Sequence, residues 1–269
     1  MSVGDVIGKS FSIWGRNLLP FAVLSLVAHA PWIAYRTLVA TGKADAVPGD
    51  WDWLVTYSVE ACAGILASGL VVFGVLQQLR GAPSGLGLVV SRGLGLLPRA
   101  LGAGVLATLC VLAPFLLASR LMFTTHIGAL GVGLLGLLIG SLVLLCVTWV
   151  TVPAAVAERL SPVGALKRSY RLTLGSKWGV FLVILVLTLA KVALLTVVLM
   201  AFGSETGAGL FDDSGDAGDA STPLVELVTL ALATLVTVPI EATAAAVGYH
   251  DLRTMKDGTS TEDIAKVFD

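Results

Sequence analysis

The stretch WGVFLVILVLTLAKVALLTVVLMAF, residues 178–202, carries a single charged side chain, that of Lys191. Folded as an α-helix it is about 37 Å long, and about 20 apolar residues are enough to cross the hydrocarbon core of a bilayer. Lipid offers the backbone no hydrogen-bond partners, so only helices and closed barrels span it, and the apolar–polar alternation of a barrel strand is absent here. We therefore predict a transmembrane helix.

The rest of the chain repeats this pattern. Comparable apolar stretches lie near residues 18–39, 53–79, 100–121, 131–155 and 223–249. Hydrophobic residues make up 56% of the chain and charged residues only 13%, with a mean hydropathy of +0.91. Soluble proteins carry about 25% charged residues. The sequence therefore predicts an all-α membrane protein, in which six transmembrane helices form a single domain over residues 1–269.

The basic residues indicate how these helices are oriented. One side holds thirteen of them, in segments 1–17, 80–99, 156–177 and 250–269: Lys9, Arg16, Arg80, Arg92, Arg99, Arg159, Lys167, Arg168, Arg171, Lys177, Arg253, Lys256 and Lys266. The other side holds only Arg36, Lys43 and Arg120. Basic residues accumulate in cytoplasmic loops. We therefore expect both the N terminus and the C-terminal tail, residues 250–269, in the cytoplasm.

Residues 203–222 form a connection of the opposite kind. They hold five acidic side chains, Glu205, Asp212, Asp213, Asp216 and Asp219, among several glycines. This composition predicts a mobile external loop. The acidic spacing differs from that of an EF-hand, and the three histidines are scattered, so no metal site is predicted.

Amphipathic segments precede the first, third and fifth predicted spans. In residues 1–17, Val3, Ile7, Phe11 and Trp14 share one helical face. Such helices lie in the membrane interface or pack on the ends of the bundle, and the pattern leaves both arrangements open. Each segment opens one unit of a faint repeat, in which an amphipathic segment leads into a span. The first two units also share the sequence Leu-Leu-Pro, at residues 18–20 and 96–98. The sequence thus predicts three units, each an interfacial helix followed by a transmembrane hairpin.

The segment before the fifth span is strongly basic. Ser161 followed by Pro162 is typical of a helix start. We predict that Val163, Leu166, Tyr170 and Leu174 share one face of this helix, with Lys167, Arg168 and Arg171 around the other. Each cation near a membrane surface attracts anionic headgroups by about 1 kcal/mol. The segment is therefore a candidate site for anionic lipids, although the same charges also serve as the orientation signal.

Ionisable residues within predicted spans form a second candidate site. Lys191 lies near the middle of the membrane, with Glu241 nearer the cytoplasm and Glu60 nearer the outside. At 1.5 Å per residue, either carboxylate is within reach of the lysine. We favour Glu241 as the partner, because consecutive spans are usually neighbours, and Pro239 lies two residues before it. A structural ion pair, a proton or ion relay and a neutral carboxyl remain open.

Several function classes leave no trace in the sequence. The motifs of serine hydrolases, zinc proteases, P-loop enzymes and dinucleotide-binding proteins are absent. The net charge is −1, which gives no overall basic field for nucleic acid. We therefore predict a protein that is not an enzyme, binds no cofactor or nucleic acid, and has membrane lipids as partners.

Two stretches carry a resemblance to a known family. They are VPAAVAERLSPVGALKRSYRLTLGSKWGVF, residues 152–181, and VTVPIEATAAAVGYHDLRTMKDG, residues 236–258. Together they resemble the bacterial six-helix proteins labelled "glycerophosphoryl diester phosphodiesterase membrane domain". That label comes from fusions to a separate phosphodiesterase barrel of roughly 250 residues, of which nothing is present here.

The resemblance implies a bacterial inner-membrane protein with six helices and a role in membrane or envelope upkeep. It also places Asp251 and Arg253 just after the sixth span, where they are expected to pair with Arg168 or Glu158 across the cytoplasmic face. We predict a module that engages lipids or an unidentified protein partner at the inner leaflet. A transporter of small solutes or lipids that uses Lys191 and Glu241 is the alternative.

Overall fold

The computed structural model describes residues 2–43, 51–82, 85–124, 127–202 and 221–258. Every regular element in these ranges is helical. Residues 203–220 of the predicted acidic loop, and residues 259–269 of the predicted tail, lie outside the described ranges, so the predictions made for them stay predictions.

Ten α-helices account for most of the described chain. In order they are α1 (Val3–Arg16), α2 (Leu18–Ala40), α3 (Trp51–Leu79), α4 (Leu86–Gly93), α5 (Leu97–Thr124), α6 (Ile127–Thr148), α7 (Thr151–Glu158), α8 (Pro162–Thr173), α9 (Lys177–Phe202) and α10 (Ser221–Asp257). A 3₁₀ turn, Leu94–Leu96, joins α4 to α5.

Among the described residues, five stretches of helix are long and apolar enough to cross a membrane. They are Leu18–Val39, Leu54–Leu79, Leu86–Pro114, Ile139–Glu158 and Lys177–Val197. The predicted sixth span lies inside α10, which is continuous over 37 residues, and it is not among the five. The described part of the chain is therefore all-helical, with five stretches that could cross a membrane, and the sixth span stays a prediction.

The predicted span near residues 131–155 is divided between two helices. The helix α6 ends at Thr148, a turn follows at Trp149 and Val150, and α7 begins at Thr151. Pro153 explains the break, because proline has no N–H to donate and its ring clashes with the carbonyl group four residues earlier. In the first turn of a new helix neither defect matters, since those N–H groups have no partner within the helix.

Helix α3 lies in the middle of the bundle and packs against α2, α4, α5, α7 and α10. Half of its apolar stretch is buried, against 17% for that of α9, so α9 is the more peripheral helix. In α10, residues 242–249 are all buried. Small side chains permit this close packing: a Cβ atom added at Gly248 would lie 2.5 Å from Cζ3 of Trp149.

The amphipathic segments that precede the first and fifth spans are helices that pack on the long ones. Helix α1 packs against α9 and α10, and its Val6 and Ser10 are buried. It is tied to α3 by Asn17, whose Nδ2 donates to Gln78 Oε1 at 3.1 Å and whose Oδ1 accepts from Gln78 Nε2 at 2.8 Å. Ser161 begins α8 as predicted, since its Oγ accepts a hydrogen bond from Gly164 N at 3.3 Å.

Candidate functional site

Lys191 on α9 and Glu241 on α10 form the ion pair that the sequence analysis favours. Lys191 Nζ donates to Glu241 Oε1 at 2.9 Å. Consecutive helices supply the two partners, and α9 packs directly on α10. The described contacts do not join Lys191 to Glu60. Glu60 is half-buried on α3, where His29, Arg36 and Lys191 are close enough to act on it electrostatically.

Two cavities border this ion pair. One of about 360 Å³ lies among α3, α6, α7, α9 and α10, and Ser68 and Thr188 add hydroxyl groups to its lining. The other, of about 230 Å³, lies where Phe11 and Trp14 of α1 approach α9 and α10. The side chains of Lys191 and Glu241 are 48% and 42% exposed. The pair is therefore open to a small ligand or to lipid.

A second polar network joins α7, α8 and α10. Arg168 on α8 donates from Nε to Glu158 Oε1 at 2.9 Å, and its Nη2 pairs with Asp257 Oδ2. Tyr249 donates from its hydroxyl group to Glu158 Oε1 at 2.7 Å, and Arg253 Nε lies 3.7 Å from Asp257 Oδ2. We call these five residues the polar clamp. The hydrogen bond to Asp257 raises the pKa of Arg168, which keeps the guanidinium charged.

The predicted pairing of Asp251 with Arg168 or Glu158 is wrong. Asp257 occupies that place, and Arg253 contacts Asp257 rather than Glu158. Asp251 lies six residues before Asp257. Its side chain is therefore rotated by about 120° from that of Asp257 around α10, and it lies about 9 Å closer to the N-terminal end of the helix. Among the described residues, the buried Oδ2 of Asp251 has no hydrogen-bond partner.

The outer face of α8 differs from the predicted face. The buried residues are Ala165, Ser169, Leu172 and Thr173. Val163, Tyr170 and Leu174 are instead exposed, by 55%, 49% and 45%. They lie on the same side as Lys167 and Arg171, which are also exposed. The apolar stripe of this helix therefore faces outward together with two of its cations.

Sequence reasoning missed a group of four arginines. Arg80 after α3, Arg92 on α4, Arg99 on α5 and Arg159 after α7 line one cavity of about 410 Å³. We call this the four-arginine cavity. In the sequence these residues are recognisable only as orientation signals, because they come from four separate segments. Their shared position at the ends of predicted spans is the one sequence feature that indicates they could lie close together.

Arg159 has an unusual backbone conformation. Its φ of 54° makes it the one non-glycine residue with positive φ in the described ranges. This left-handed conformation ends α7 and turns the chain toward α8, and it favours glycine because glycine has no Cβ atom. An arginine in this backbone conformation has a higher free energy than a glycine would have.

The described ranges contain no group of three or more histidine, cysteine, aspartate or glutamate side chains that could hold a metal ion. No family model matches the chain, and the comparisons with curated proteins and with solved structures give no match.

Proposed function

We propose that the chain is a non-enzymatic, multi-pass protein of a bacterial inner membrane that engages anionic lipids at its cytoplasmic surface. The outer face of α8 carries this proposal. Val163, Lys167, Tyr170 and Arg171 fall within an arc of about 100° around the helix. All four are exposed. A face that mixes apolar side chains with cations suits the boundary between headgroups and acyl chains.

The surroundings of α8 support the same placement. The polar clamp and the buried face of α8 fix the helix against the bundle, so its outer face is presented in one orientation. Trp178, at the start of α9, is 80% exposed. Tryptophan is enriched at membrane–water interfaces. The two stretches that carry the family resemblance also meet in this clamp, since they supply Glu158, Arg168, Tyr249 and Asp257.

The proposal includes six spans arranged as three hairpins, with α1, α4 and α8 as interfacial helices. Direct packing of α2 on α3, of α5 on α6 and of α9 on α10 supports the hairpins. Both termini then lie in the cytoplasm. A fluorescent protein fused after residue 269 should fluoresce, and alkaline phosphatase inserted within 203–220 should be active. The opposite pattern would reverse the orientation.

Native mass spectrometry of the gently extracted full chain tests the lipid contact. The double substitution Lys167→Gln and Arg171→Gln should weaken retention of phosphatidylglycerol by about 30-fold, since two charges at about 1 kcal/mol each are lost. Lys9→Gln with Arg16→Gln removes the same charge from exposed positions of α1 and should weaken retention less, because these cations are not part of the mixed outer face of α8. Equal retention by all three proteins would refute lipid binding by α8. Loss of a co-purified protein instead would make the face a partner surface.

A transporter is the second candidate, and the cavities beside Lys191 and Glu241 favour it. Charged side chains at membrane depth are costly and often mark proton or solute pathways. Proteoliposomes containing a pH-sensitive dye measure proton flux directly. Flux in the wild-type protein that disappears in the Lys191→Met, Glu241→Met variant, with normal expression, would establish transport. Absence of flux in the wild-type protein would leave the pair a structural one.

A further inference from the structure

The four-arginine cavity concentrates positive charge in one small space. Its lining joins Arg80, Arg92, Arg99 and Arg159 to Gln77 and to a wall of apolar side chains such as Phe73 and Val156. No aspartate or glutamate is among its lining residues within the described chain. The cavity therefore has four cations and no anion of its own.

These arginines also lack the partners that Arg168, Arg253 and Lys256 have. Arg168 and Arg253 pair with carboxylates, and Lys256 donates to the carbonyl oxygen of Leu174 at 2.7 Å. In the part of the chain that the structure describes, no ion pair involves any of the four cavity arginines. Like charges that share a cavity repel one another, and a bound anion would offset this repulsion because it attracts each of the four cations.

The backbone at Arg159 points in the same direction. A glycine would end α7 without strain, yet this position has an arginine in the left-handed conformation. Strained residues of this kind cluster at binding sites, where the strain is maintained by the surrounding structure. The side chain that this strain supports is one of the four that line the cavity.

The four guanidinium groups indicate which class of ligand the cavity can bind. Their planar, forked donors match the oxygen atoms of a phosphoryl group, which accept paired hydrogen bonds. Four of them suit an anion with at least two charges, such as a phosphomonoester. The apolar wall adds room for a hydrocarbon portion beside the phosphate. Two sources share this chemistry: the headgroup of an anionic lipid and a soluble phosphate compound.

We propose that Arg80, Arg92, Arg99 and Arg159 form a binding site for a phosphoryl anion that carries two or more negative charges. The site deepens the lipid-engaging function proposed above and rests on it for access to the membrane surface. It is separate from the outer face of α8, because neither Lys167 nor Arg171 lines the cavity. The two sites can therefore be tested independently.

The test compares variants of the purified full chain by native mass spectrometry. Phosphatidate, phosphatidylglycerol and phosphatidylcholine are titrated as lipid probes, and inorganic phosphate and pyrophosphate as soluble ones. Arg92→Gln with Arg99→Gln should weaken phosphatidate binding by about 30-fold, and Arg159→Gly by about fivefold. Phosphatidylcholine should bind weakly and equally to all variants.

Arg159→Gly and two further variants separate a lost ligand contact from a damaged fold. Arg159→Gly relieves the left-handed backbone, so it should bind less anion while its melting temperature stays equal to or above that of the wild type. Arg92→Lys with Arg99→Lys retains the charge but not the forked donors, and it should bind with intermediate strength. Lys9→Gln with Arg16→Gln is the matched control: neither residue lines the cavity, so it should weaken phosphatidate binding less than Arg92→Gln with Arg99→Gln does.

The outcomes separate this site from the function on which it rests. Normal phosphatidate binding by both cavity variants would overturn the site, and if Lys167→Gln with Arg171→Gln still lost lipid, the proposed function would stand without it. Loss of binding in the cavity variants alone would support the site. Displacement of phosphatidate by pyrophosphate, with the same dependence on the arginines, would identify a soluble phosphate compound as the ligand.

Discussion

Two ion-paired regions tie α10 to its neighbours, and they differ in the number of partners. In the polar clamp, Arg168 contacts two carboxylates, and Glu158 also accepts a hydrogen bond from Tyr249. Lys191 has Glu241 as its one ion-pair partner among the described residues. The side chains of Arg168 and Glu158 are 23% and 21% exposed, about half the values of the second pair.

This difference separates a structural joint from a site that can change state. A partly buried network loses several contacts at once when its central group is removed, so that removal is costly. A pair that borders open cavities can gain or lose a proton, or accept a ligand, with less rearrangement of its neighbours. The following substitutions test this contrast, starting with the largest expected effect.

Removal of Arg168 should cause the largest loss of stability. Arg168→Ala leaves the carboxylates of Glu158 and Asp257 without their shared cation, and loss of two hydrogen bonds between charged groups costs about 3 kcal/mol. Thermal unfolding of the detergent-solubilised protein measures the change. Arg171→Ala, one turn of α8 away on its exposed side, is the control and should change stability by less than about 0.5 kcal/mol. Equal effects of the two substitutions would contradict the structural role of the clamp.

The Lys191–Glu241 pair should respond differently to single and double substitution. Lys191→Met leaves an unpaired carboxylate at membrane depth, at a cost of about 2 kcal/mol. The double substitution Lys191→Met, Glu241→Met removes both charges and should restore stability to within about 1 kcal/mol of wild type. A double-substitution cycle of unfolding midpoints measures this coupling. Additive losses would show that the two side chains act independently.

Tyr249 provides a smaller test of the clamp. Tyr249→Phe removes the hydroxyl group that donates to Glu158, and loss of a hydrogen bond to a charged group should cost about 1.5 kcal/mol. The ring itself is buried and stays in place. Tyr170→Phe is the matched control, because Tyr170 is exposed and has no hydrogen bond to the clamp in the described contacts. A destabilisation as large in Tyr170→Phe as in Tyr249→Phe would contradict the assignment.

The two regions also differ in how far sequence predicts them. The Lys191–Glu241 contact follows from depth along two consecutive helices, since each residue advances a helix by 1.5 Å and adjacent spans pack together. Predicting the clamp also requires the rotation of α10 about its own axis. The position of a residue along the chain does not fix this rotation. The sequence therefore predicts Asp251 as the partner of Arg168, where the structure has Asp257.

Surface and cavity positions are harder still to predict. The stripe of Val163, Tyr170 and Leu174 shows that α8 is amphipathic, but not whether its apolar side faces the bundle or the membrane. The structure buries Ala165 and Leu172 instead, because the side chains on this face allow α8 to pack closely on α5 and α7. The four-arginine cavity depends on segments brought together from α3, α4, α5 and α7, and no local pattern contains that information.

His250 offers the smallest test, and it reports the electrostatic field near the clamp. Burial lowers the pKa of His250, and Lys9, Arg253 and Arg80 lower it further, whereas Asp251 opposes them. The unfolded chain, with a histidine pKa of about 6.5, therefore takes up a proton before the folded chain does. Stability should fall as the pH drops through the unfolded value, until the lowered folded-state pKa is reached.

Melting temperatures recorded between pH 8 and pH 5 measure this small effect. His250→Gln should remove part of the loss at acidic pH and leave stability above pH 7.5 unchanged. Lys9→Gln sharpens the test, because it removes one nearby cation and should move the pKa of His250 back toward its ordinary value, which shrinks the loss. Parallel pH curves for the wild type and His250→Gln would show that His250 titrates identically in both states, and that the positive charges at this end of α10 do not act on it.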